Sequence, residues 1–166
     1  RLDKGVSGIV VYAKTKQMAA LLASAREEQL LHKEYLAIVK GKFEEQSGTL
    51  TYTLGKEKGI RGRSVTVDGQ NCITNYEVII EGNFFSLIKV HIETGRLHQI
   101  RAGMAYFGHP LIGDRLYGGS MHAMKRPALH CWKVEFIHPK TKKQIKIECK
   151  LPDDMQRVVD KLQEKI

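Results

Sequence analysis

Residues 73–92 read ITNYEVIIEGNFFSLIKVHI. Two runs that are rich in β-branched and aromatic residues, 73–80 and 84–92, lie on either side of the triplet Glu81-Gly82-Asn83. Strand-forming runs that are connected by a short turn containing glycine are typical of a β-hairpin. This stretch therefore predicts two neighbouring antiparallel strands.

Further strand patterns lie on both sides of this hairpin. Leu50, Tyr52 and Leu54 alternate with threonines. This alternation indicates a half-buried strand, because successive side chains point to opposite faces of a sheet. Short β-branched or aromatic runs predict the remaining strands at residues 9–13, 34–39, 128–137 and 144–150.

Apolar residues at helical spacing predict three helices. The first follows the N-cap candidate Thr15 and extends to about residue 31, the second covers residues 97–107, and the third follows Asp153, which we expect to cap it. The apolar stripe of the third helix comprises Met155, Val158, Val159, Leu162 and Ile166. Because strands outnumber helices and several are linked as hairpins, we predict an α+β fold with a mixed, largely antiparallel sheet and flanking helices.

The composition limits the class of protein. The 166 residues suit a single domain over 1–166, and 27 Lys+Arg against 18 Asp+Glu leave a formal net charge of +9. Cys72, Cys131 and Cys149 are widely spaced, which argues against a disulfide scaffold and a zinc ribbon. No signal-peptide pattern and no apolar run of membrane length is present, so we expect a cytoplasmic protein. The basic excess favours a polyanionic partner, most simply nucleic acid.

Two clusters of polar residues near the start of the chain do not follow the periodic spacing that buried apolar side chains show. In residues 1–8, Asp3 lies between the cations Arg1 and Lys4, which favour the ionised carboxylate. An aspartate in a solvated turn is the simpler interpretation of the same residues. In residues 33–35, Tyr35 is either a packed strand residue or a flat surface on which a base stacks.

A third cluster, residues 94–101, places His98 and Arg101 three positions apart. If a helix begins near Leu97, both side chains project to one side while Ile100 and Met104 turn inward. The planar guanidinium of Arg101 suits a two-pronged bond to a carboxylate. A surface ion pair beside a histidine that is satisfied by the backbone explains the spacing equally well, and the sequence leaves both interpretations open.

Several frequent functional classes have no signal in the sequence. Walker, dinucleotide-binding and serine-hydrolase motifs are absent. The histidines and cysteines lack metal-ligand spacing, so no metal site is predicted. Trp132 is expected in the core and His109 in a turn, whereas the basic, glycine-containing residues 56–63 predict a loop.

Taken together, the three clusters resemble the RluA-type family of RNA pseudouridine synthases. Residues 1–8 are similar to the catalytic-aspartate motif of that family, residues 33–35 to its Lys-x-Tyr motif, and residues 95–101 to its Arg-x-His-Gln-Ile-Arg segment. The likeness continues through Gly108-His109-Pro110, Gly113-Asp114 and residues 126–130, 138–139 and 151–155.

The chain departs from the family pattern at three places. Val6 and Leu97 stand where threonine is common, which changes local hydrogen bonding but removes no charged or nucleophilic group. The histidine and the strand that usually precede the aspartate motif are missing. We therefore expect an N-terminally incomplete catalytic domain.

The resemblance implies the pseudouridine synthase catalytic fold and the isomerisation of uridine in RNA, without a metal or an organic cofactor. Asp3 would be the catalytic carboxylate, acting either as a nucleophile or by abstracting a sugar proton to give a glycal. Arg101 would pair with Asp3, and Tyr35 would stack on a flipped-out uracil and help to remove its C5 proton. Substrate or RNA contacts are expected from Arg1, Arg96, His98, Arg61, Arg63, Lys125 and Arg126.

The resemblance also implies a partner and an oligomeric state. We expect a monomer that acts on structured RNA, with ribosomal RNA favoured over transfer RNA and with no membrane partner. Two other classes stay open. A non-catalytic RNA-binding module would keep the fold and bind RNA without making product. A base-removing glycosidase would need a second carboxylate about 5–5.5 Å from Asp3, and the conspicuous motifs offer none.

Overall fold

A computed structural model describes residues 1–164 of the chain. Its helices are α1 (Lys16–Glu27), α2 (Gln99–Tyr106) and α3 (Asp153–Glu164), with a short 3₁₀ helix at Arg115–Tyr117. Its strands are β1 (Ser7–Gly8), β2 (His32–Lys40), β3 (Ser47–Gly55), β4 (Ser64–Val65), β5 (Gln70–Glu81), β6 (Phe85–Ile92), β7 (Leu129–Ile137) and β8 (Gln144–Glu148). Within residues 1–164, no helix combines the length and the apolar character needed to cross a bilayer.

The strands form one eight-stranded sheet in the order β1-β7-β2-β6-β5-β3-β4, and β8 pairs with β7. In the described part of the chain β1 and β7 run parallel, and the other pairs are antiparallel. β5 and β6 pair from Thr74–Ile92 to Glu81–Ser86, which confirms the hairpin at residues 73–92. The predicted α+β class with a mixed, largely antiparallel sheet is confirmed.

The strand predicted at residues 9–13 is wrong. Sheet pairing on this side of β7 is limited to β1, where Ser7 and Gly8 lie opposite His130 and Cys131, and to one further bond from Ile9 N–H to the Cys131 carbonyl at 3.0 Å. Beyond that point β8 occupies the same edge of β7, beginning where Lys133 lies opposite Glu148. Residues 10–13 therefore have no strand edge left to join. The short strand β4 was not predicted.

The helix predictions are confirmed in position and corrected at their ends. Thr15 caps α1 as expected, because its side chain accepts a hydrogen bond from Met18 N–H, but α1 ends at Glu27 rather than near residue 31. α2 begins at Gln99 rather than Leu97. Asp153 is the first residue of α3 rather than its cap. The predicted stripe of α3 is buried from Met155 to Leu162, and Ile166 lies outside the described residues.

Helices α2 and α3 cover opposite faces of the sheet. This follows from β2, whose successive side chains point to opposite sides and pack against different helices. Ala37 and Val39 belong to the buried cluster that contains Ile100 and Met104 of α2. Ile38, between them, belongs to the cluster that contains apolar residues of α3 (Met155, Val158 and Val159). The face under α2 is the one that carries the polar clusters identified in the sequence.

Candidate active site

Asp3 lies in a turn directly before β1. The turn is closed by a hydrogen bond from Val6 N–H to the Asp3 carbonyl, and Gly5 adopts a φ of +81° there. Gly8 has a φ of +124°, and a Cβ at this position would overlap the backbone of Cys131. Glycine permits both this conformation and the close approach, so the backbone of β1 pairs directly with β7. Asp3, which precedes β1, is thereby held at the edge of the sheet.

Arg101, in the first turn of α2, reaches Asp3. Its Nη1 lies 3.5 Å from Asp3 Oδ2, with the Arg101 side chain 8% exposed and the Asp3 side chain 20% exposed. The two residues are 98 positions apart in the chain. The sequence-based prediction that these side chains lie together is confirmed by this geometry.

The two-pronged bond of Arg101, for which the sequence predicted an unspecified carboxylate, is made to Asp114, in addition to the pairing with Asp3. Nε and Nη2 of Arg101 donate to the two oxygens of Asp114 at 2.7 and 2.9 Å, and Asp114 is 1% exposed. Burial alone would lower the pKa of Arg101, but the hydrogen bonds and charge of Asp114 outweigh it and raise the pKa. Asp114 therefore fixes the guanidinium, and its third nitrogen, Nη1, faces Asp3.

Asp114 was missed as a functional candidate. The sequence signal is Gly113-Asp114 within the glycine-rich stretch 113–119, which belongs to the family resemblance but carries no predicted role. That loop is tight: Gly113 has a φ of +75°, and Gly119 N–H donates to the Asp114 carbonyl at 2.8 Å. The backbone of the loop thus holds the carboxylate under Arg101.

His98 also faces Asp3, although not for the predicted reason. It precedes α2 as its N-cap residue, in a left-handed conformation with a φ of 58°, so the helical spacing to Arg101 does not apply. Its Nε2 nevertheless lies 3.9 Å from Asp3 Oδ2. Left-handed backbone is uncommon outside glycine and is maintained only where the surroundings determine it.

Gln99 supplies those surroundings. Its buried side-chain amide donates to the Ile73 carbonyl at 3.1 Å and to the Thr74 hydroxyl at 3.0 Å on β5. Its Oε1 accepts from Arg96 N–H at 3.0 Å and from the Thr94 hydroxyl at 2.9 Å. One side chain therefore attaches both the approach to α2 and its first residue to the sheet, which places His98 and Arg101 over Asp3.

Tyr35 is packed into the core. It is 8% exposed and belongs to the same buried cluster as Cys131. Burial raises the pKa of Tyr35 well above its ordinary value, and the charges of Cys131 and Asp3 add to the rise. The phenol is thus neutral near pH 7 and is one of the groups that the charge of Asp3 influences.

The expected RNA-contact residues do not share one environment. Arg1, Arg61, Arg96 and Lys125 are exposed, and Arg63 is half-buried. Arg96 Nε donates to the Asn71 carbonyl at 3.2 Å, and Lys125 Nζ to the Met121 carbonyl at 2.6 Å. These residues lie on the surface, and their contacts with RNA stay predictions.

Arg126 is half-buried and has defined partners within the protein. Its Nε and Nη2 donate to Asp154 at 2.8 Å each, and its Nη1 donates to the Gly5 carbonyl at 3.0 Å. The side chain therefore joins the start of α3 to the turn that carries Asp3. A phosphate would have to compete with these partners.

Other polar residues have structural partners. His130 is buried, with Nδ1 2.9 Å from the Ser7 hydroxyl and Nε2 3.0 Å from the Cys149 carbonyl, so it links β1 to the end of β8. His109 stacks on Phe43 with ring centroids 3.9 Å apart. In residues 1–164, no group of three or more His, Cys, Asp or Glu side chains is arranged to hold a metal ion.

The fold is that of the pseudouridine synthases. A human protein described as RNA Pseudouridylate Synthase Domain Containing 4 superposes with a TM-score of 0.80 at 21% identity, covering 98% of this chain and 74% of its own. A second, RNA Pseudouridylate Synthase Domain Containing 1, superposes with a TM-score of 0.72 at 20% identity, covering 91% and 73%.

The amino-acid sequence is also similar to those of RNA pseudouridine synthases. The sequence model described as RNA pseudouridylate synthase matches residues 1–106, and the chain belongs to that family. It is 38% identical to an uncharacterized RNA pseudouridine synthase, YjbO, of Bacillus subtilis, over 96% of this chain and 56% of the relative. It is 32% identical to ribosomal large subunit pseudouridine synthase D of Xanthomonas campestris, over 99% and 54%. The chain thus spans about half the length of the curated relatives that it matches.

Proposed function

We propose that the protein isomerises uridine to pseudouridine in RNA, with Asp3 as the catalytic carboxylate. The observation that carries the proposal is the 3.5 Å contact between Asp3 and Arg101 in a chain of the RNA pseudouridylate synthase family. In the reaction the bond between C1′ and N1 breaks and a bond between C1′ and C5 forms. The C5 proton leaves and N1 gains a proton, so no redox partner is required.

The charges of the site support a carboxylate that is ionised and oriented. Arg101 is held by the buried Asp114, so its position does not depend on Asp3. Two carboxylates around one guanidinium leave a net negative charge, which is available for attack on C1′ or for removal of a sugar proton. Because the site is partly buried, these interactions are stronger than between exposed groups.

Tyr35 contributes contact to the uracil rather than a base. A phenol whose pKa is raised by burial is a poor proton acceptor at neutral pH. Because the charge of Asp3 contributes to the raised pKa of Tyr35, the stacking role of its ring on a displaced uracil is retained, whereas removal of the C5 proton by Tyr35 is disfavoured.

RNA is the proposed partner. The formal net charge of +9 supports binding to phosphates, with Arg61, Arg63, Arg96 and Lys125 as contacts. A uridine within a helix must be flipped out of its stack to reach Asp3, at a cost of a few kcal/mol that phosphate contacts offset. Ribosomal RNA is the preferred candidate substrate, because relatives at 32% identity are described as ribosomal large subunit pseudouridine synthases.

The test is a map of pseudouridines in total RNA from cells with and without the gene. We expect at least one uridine to lose its modification when the gene is deleted, and the gene to restore it. Restoration by the Asp3→Asn variant would contradict the proposed role of Asp3. Salt-sensitive RNA binding without any change in modification would instead identify a non-catalytic RNA-binding module.

A further inference from the structure

The Tyr117 hydroxyl lies between the backbone of Arg63 and the imidazole of His98, whose other nitrogen faces Asp3. It accepts from the backbone N–H of Arg63 at 2.9 Å and lies 2.6 Å from Nδ1 of His98. On the far side of the imidazole, Nε2 lies 3.9 Å from Asp3 Oδ2. Tyr117 ends the 3₁₀ helix that follows Asp114, so the loop that holds Arg101 also carries this hydroxyl.

A backbone N–H can only donate, so Arg63 occupies a lone pair of the Tyr117 hydroxyl oxygen. The hydroxyl keeps its own hydrogen for a second partner, and Nδ1 of His98, 2.6 Å from the oxygen, is placed to accept it. A neutral imidazole whose Nδ1 accepts carries its hydrogen on Nε2, the nitrogen that faces Asp3.

We propose that Tyr117 is a positioning residue that fixes the Nε2–H tautomer of His98 and thereby presents a hydrogen-bond donor beside Asp3. The donor is available to a uracil oxygen or a sugar hydroxyl that enters the space next to the carboxylate. This use of the donor rests on the proposed function, whereas the tautomer is a property of the free protein.

The surroundings of His98 favour the neutral ring. Burial lowers the pKa of His98, the positive charges of Arg101 and Arg63 lower it further, and the negative charges of Asp3 and Asp114 raise it without reversing the direction. The ionisable groups that face the imidazole are Asp3, Arg63, Arg101, Asp114 and Tyr117. A donated bond at Nδ1 stabilises the neutral form in the same sense.

The position of the Tyr117 ring is fixed by packing. Gly62 packs against the Tyr117 ring so closely that a Cβ there would lie 2.7 Å from the hydroxyl oxygen. The guanidinium carbon of Arg101 lies 5.3 Å from the centre of the ring on which it rests. The ring is therefore held on two sides, which leaves the hydroxyl between Arg63 N–H and His98.

The test combines NMR of the ¹⁵N-labelled protein with rates at different pH. In the wild-type protein we expect His98 to be a single tautomer, with the hydrogen on Nε2, and to titrate below the ordinary range of histidine. In Tyr117→Phe we expect a mixture of tautomers and a higher His98 pKa. Because a protonated His98 would place a positive charge beside the reacting carboxylate, the fall in rate that accompanies its protonation should move to higher pH. The rate at neutral pH should fall about tenfold for one lost hydrogen bond.

Two further variants keep the result interpretable. Tyr106→Phe removes the hydroxyl of an exposed tyrosine on α2 and should change neither the His98 spectrum nor the rate. His98→Gln keeps an amide donor but cannot titrate, so it should retain part of the activity and lose the contribution of His98 to the acidic limb.

The outcomes separate the two proposals. A hydrogen on Nδ1 in the wild-type protein, or a tautomer and titration unchanged in Tyr117→Phe, would overturn the role of Tyr117. If the expected spectra are found but the wild-type protein forms no pseudouridine, the tautomer assignment is supported and the proposed function fails.

Discussion

Arg101 Nη1 lies 3.5 Å from Asp3 Oδ2, although 98 positions of chain separate the two residues. The contact depends on Asp114, which holds the other two nitrogens of the same guanidinium at 2.7 and 2.9 Å. Asp114 therefore orients the guanidinium, whereas Asp3 is the carboxylate that stays available to react.

Asp3→Asn should abolish pseudouridine formation while leaving RNA affinity nearly unchanged. The amide has the shape of the carboxylate but neither its negative charge nor its nucleophilicity. Product formation and RNA binding would be measured on the same transcript. Asp68→Asn, at an exposed aspartate in the segment between β4 and β5, serves as the matched control and should behave as wild type.

Asp114→Asn should destabilise the protein by about 3–5 kcal/mol, because the buried guanidinium of Arg101 loses the charge of its closest carboxylate and keeps only the longer contact with Asp3. Denaturant unfolding of the variant would measure the loss. Asp154→Asn breaks the more exposed pair with Arg126 and should cost only about 0–1 kcal/mol. Equal losses of unfolding free energy in the two variants would contradict the expectation that the buried pair of Arg101 and Asp114 stabilises the protein more than the more exposed pair.

The pair of Asp154 and Arg126 should give stability that depends on pH. Burial alone would raise the pKa of Asp154, but the hydrogen bonds and charge of Arg126 outweigh it and lower the pKa below 3.8. A carboxyl whose pKa is lowered by folding stabilises the protein above its unfolded pKa and loses that effect as the pH falls through the folded pKa. The stability difference between wild type and Asp154→Asn should therefore be constant near neutral pH and close below about pH 4. A difference that is already lost above the unfolded pKa of an aspartate would exclude this origin.

RNA binding should weaken linearly on a logarithmic scale of salt concentration. Each phosphate contact contributes about 0.7–0.9 to the slope. Arg61→Ala should therefore reduce the slope by about that amount if Arg61 contacts one phosphate. Lys161→Ala, at an exposed residue on α3, is the control that should leave the slope unchanged. An unaltered slope in Arg61→Ala would remove this residue from the RNA contacts.

Gly103→Ala should displace α2 and reduce activity. A Cβ at Gly103 would overlap the Tyr52 hydroxyl, which cannot easily move because it bonds the Gln99 carbonyl and the Thr74 hydroxyl at 2.8 Å each. Overpacking of this kind costs about 1–3 kcal/mol, and the shift would carry Arg101 away from Asp3. Gly95→Ala is the control, since nothing lies within 4 Å of its Cβ position, and it should change unfolding and turnover little.

Local patterns predicted most of the elements. The alternation of Leu50, Tyr52 and Leu54 identified a strand, and Thr15 marked the start of α1, because strand alternation and helix capping involve residues within four positions of one another. The left-handed His98 was not predictable in this way. Its conformation is maintained by Gln99, whose hydrogen-bond partners on β5 lie 25 and 26 positions away.

The sequence by itself determined the α+β class, the hairpin at residues 73–92 and the motifs that place the chain in its family, since these depend on residue order and short-range periodicity. The tertiary structure alone decided which carboxylate takes the two-pronged bond of Arg101, that residues 10–13 stay outside the sheet, and that Tyr117 joins Arg63 to His98. The physical reason is that hydrogen bonds and ion pairs depend on distances of a few ångströms. Such distances between remote residues exist only once the strands and helices have packed.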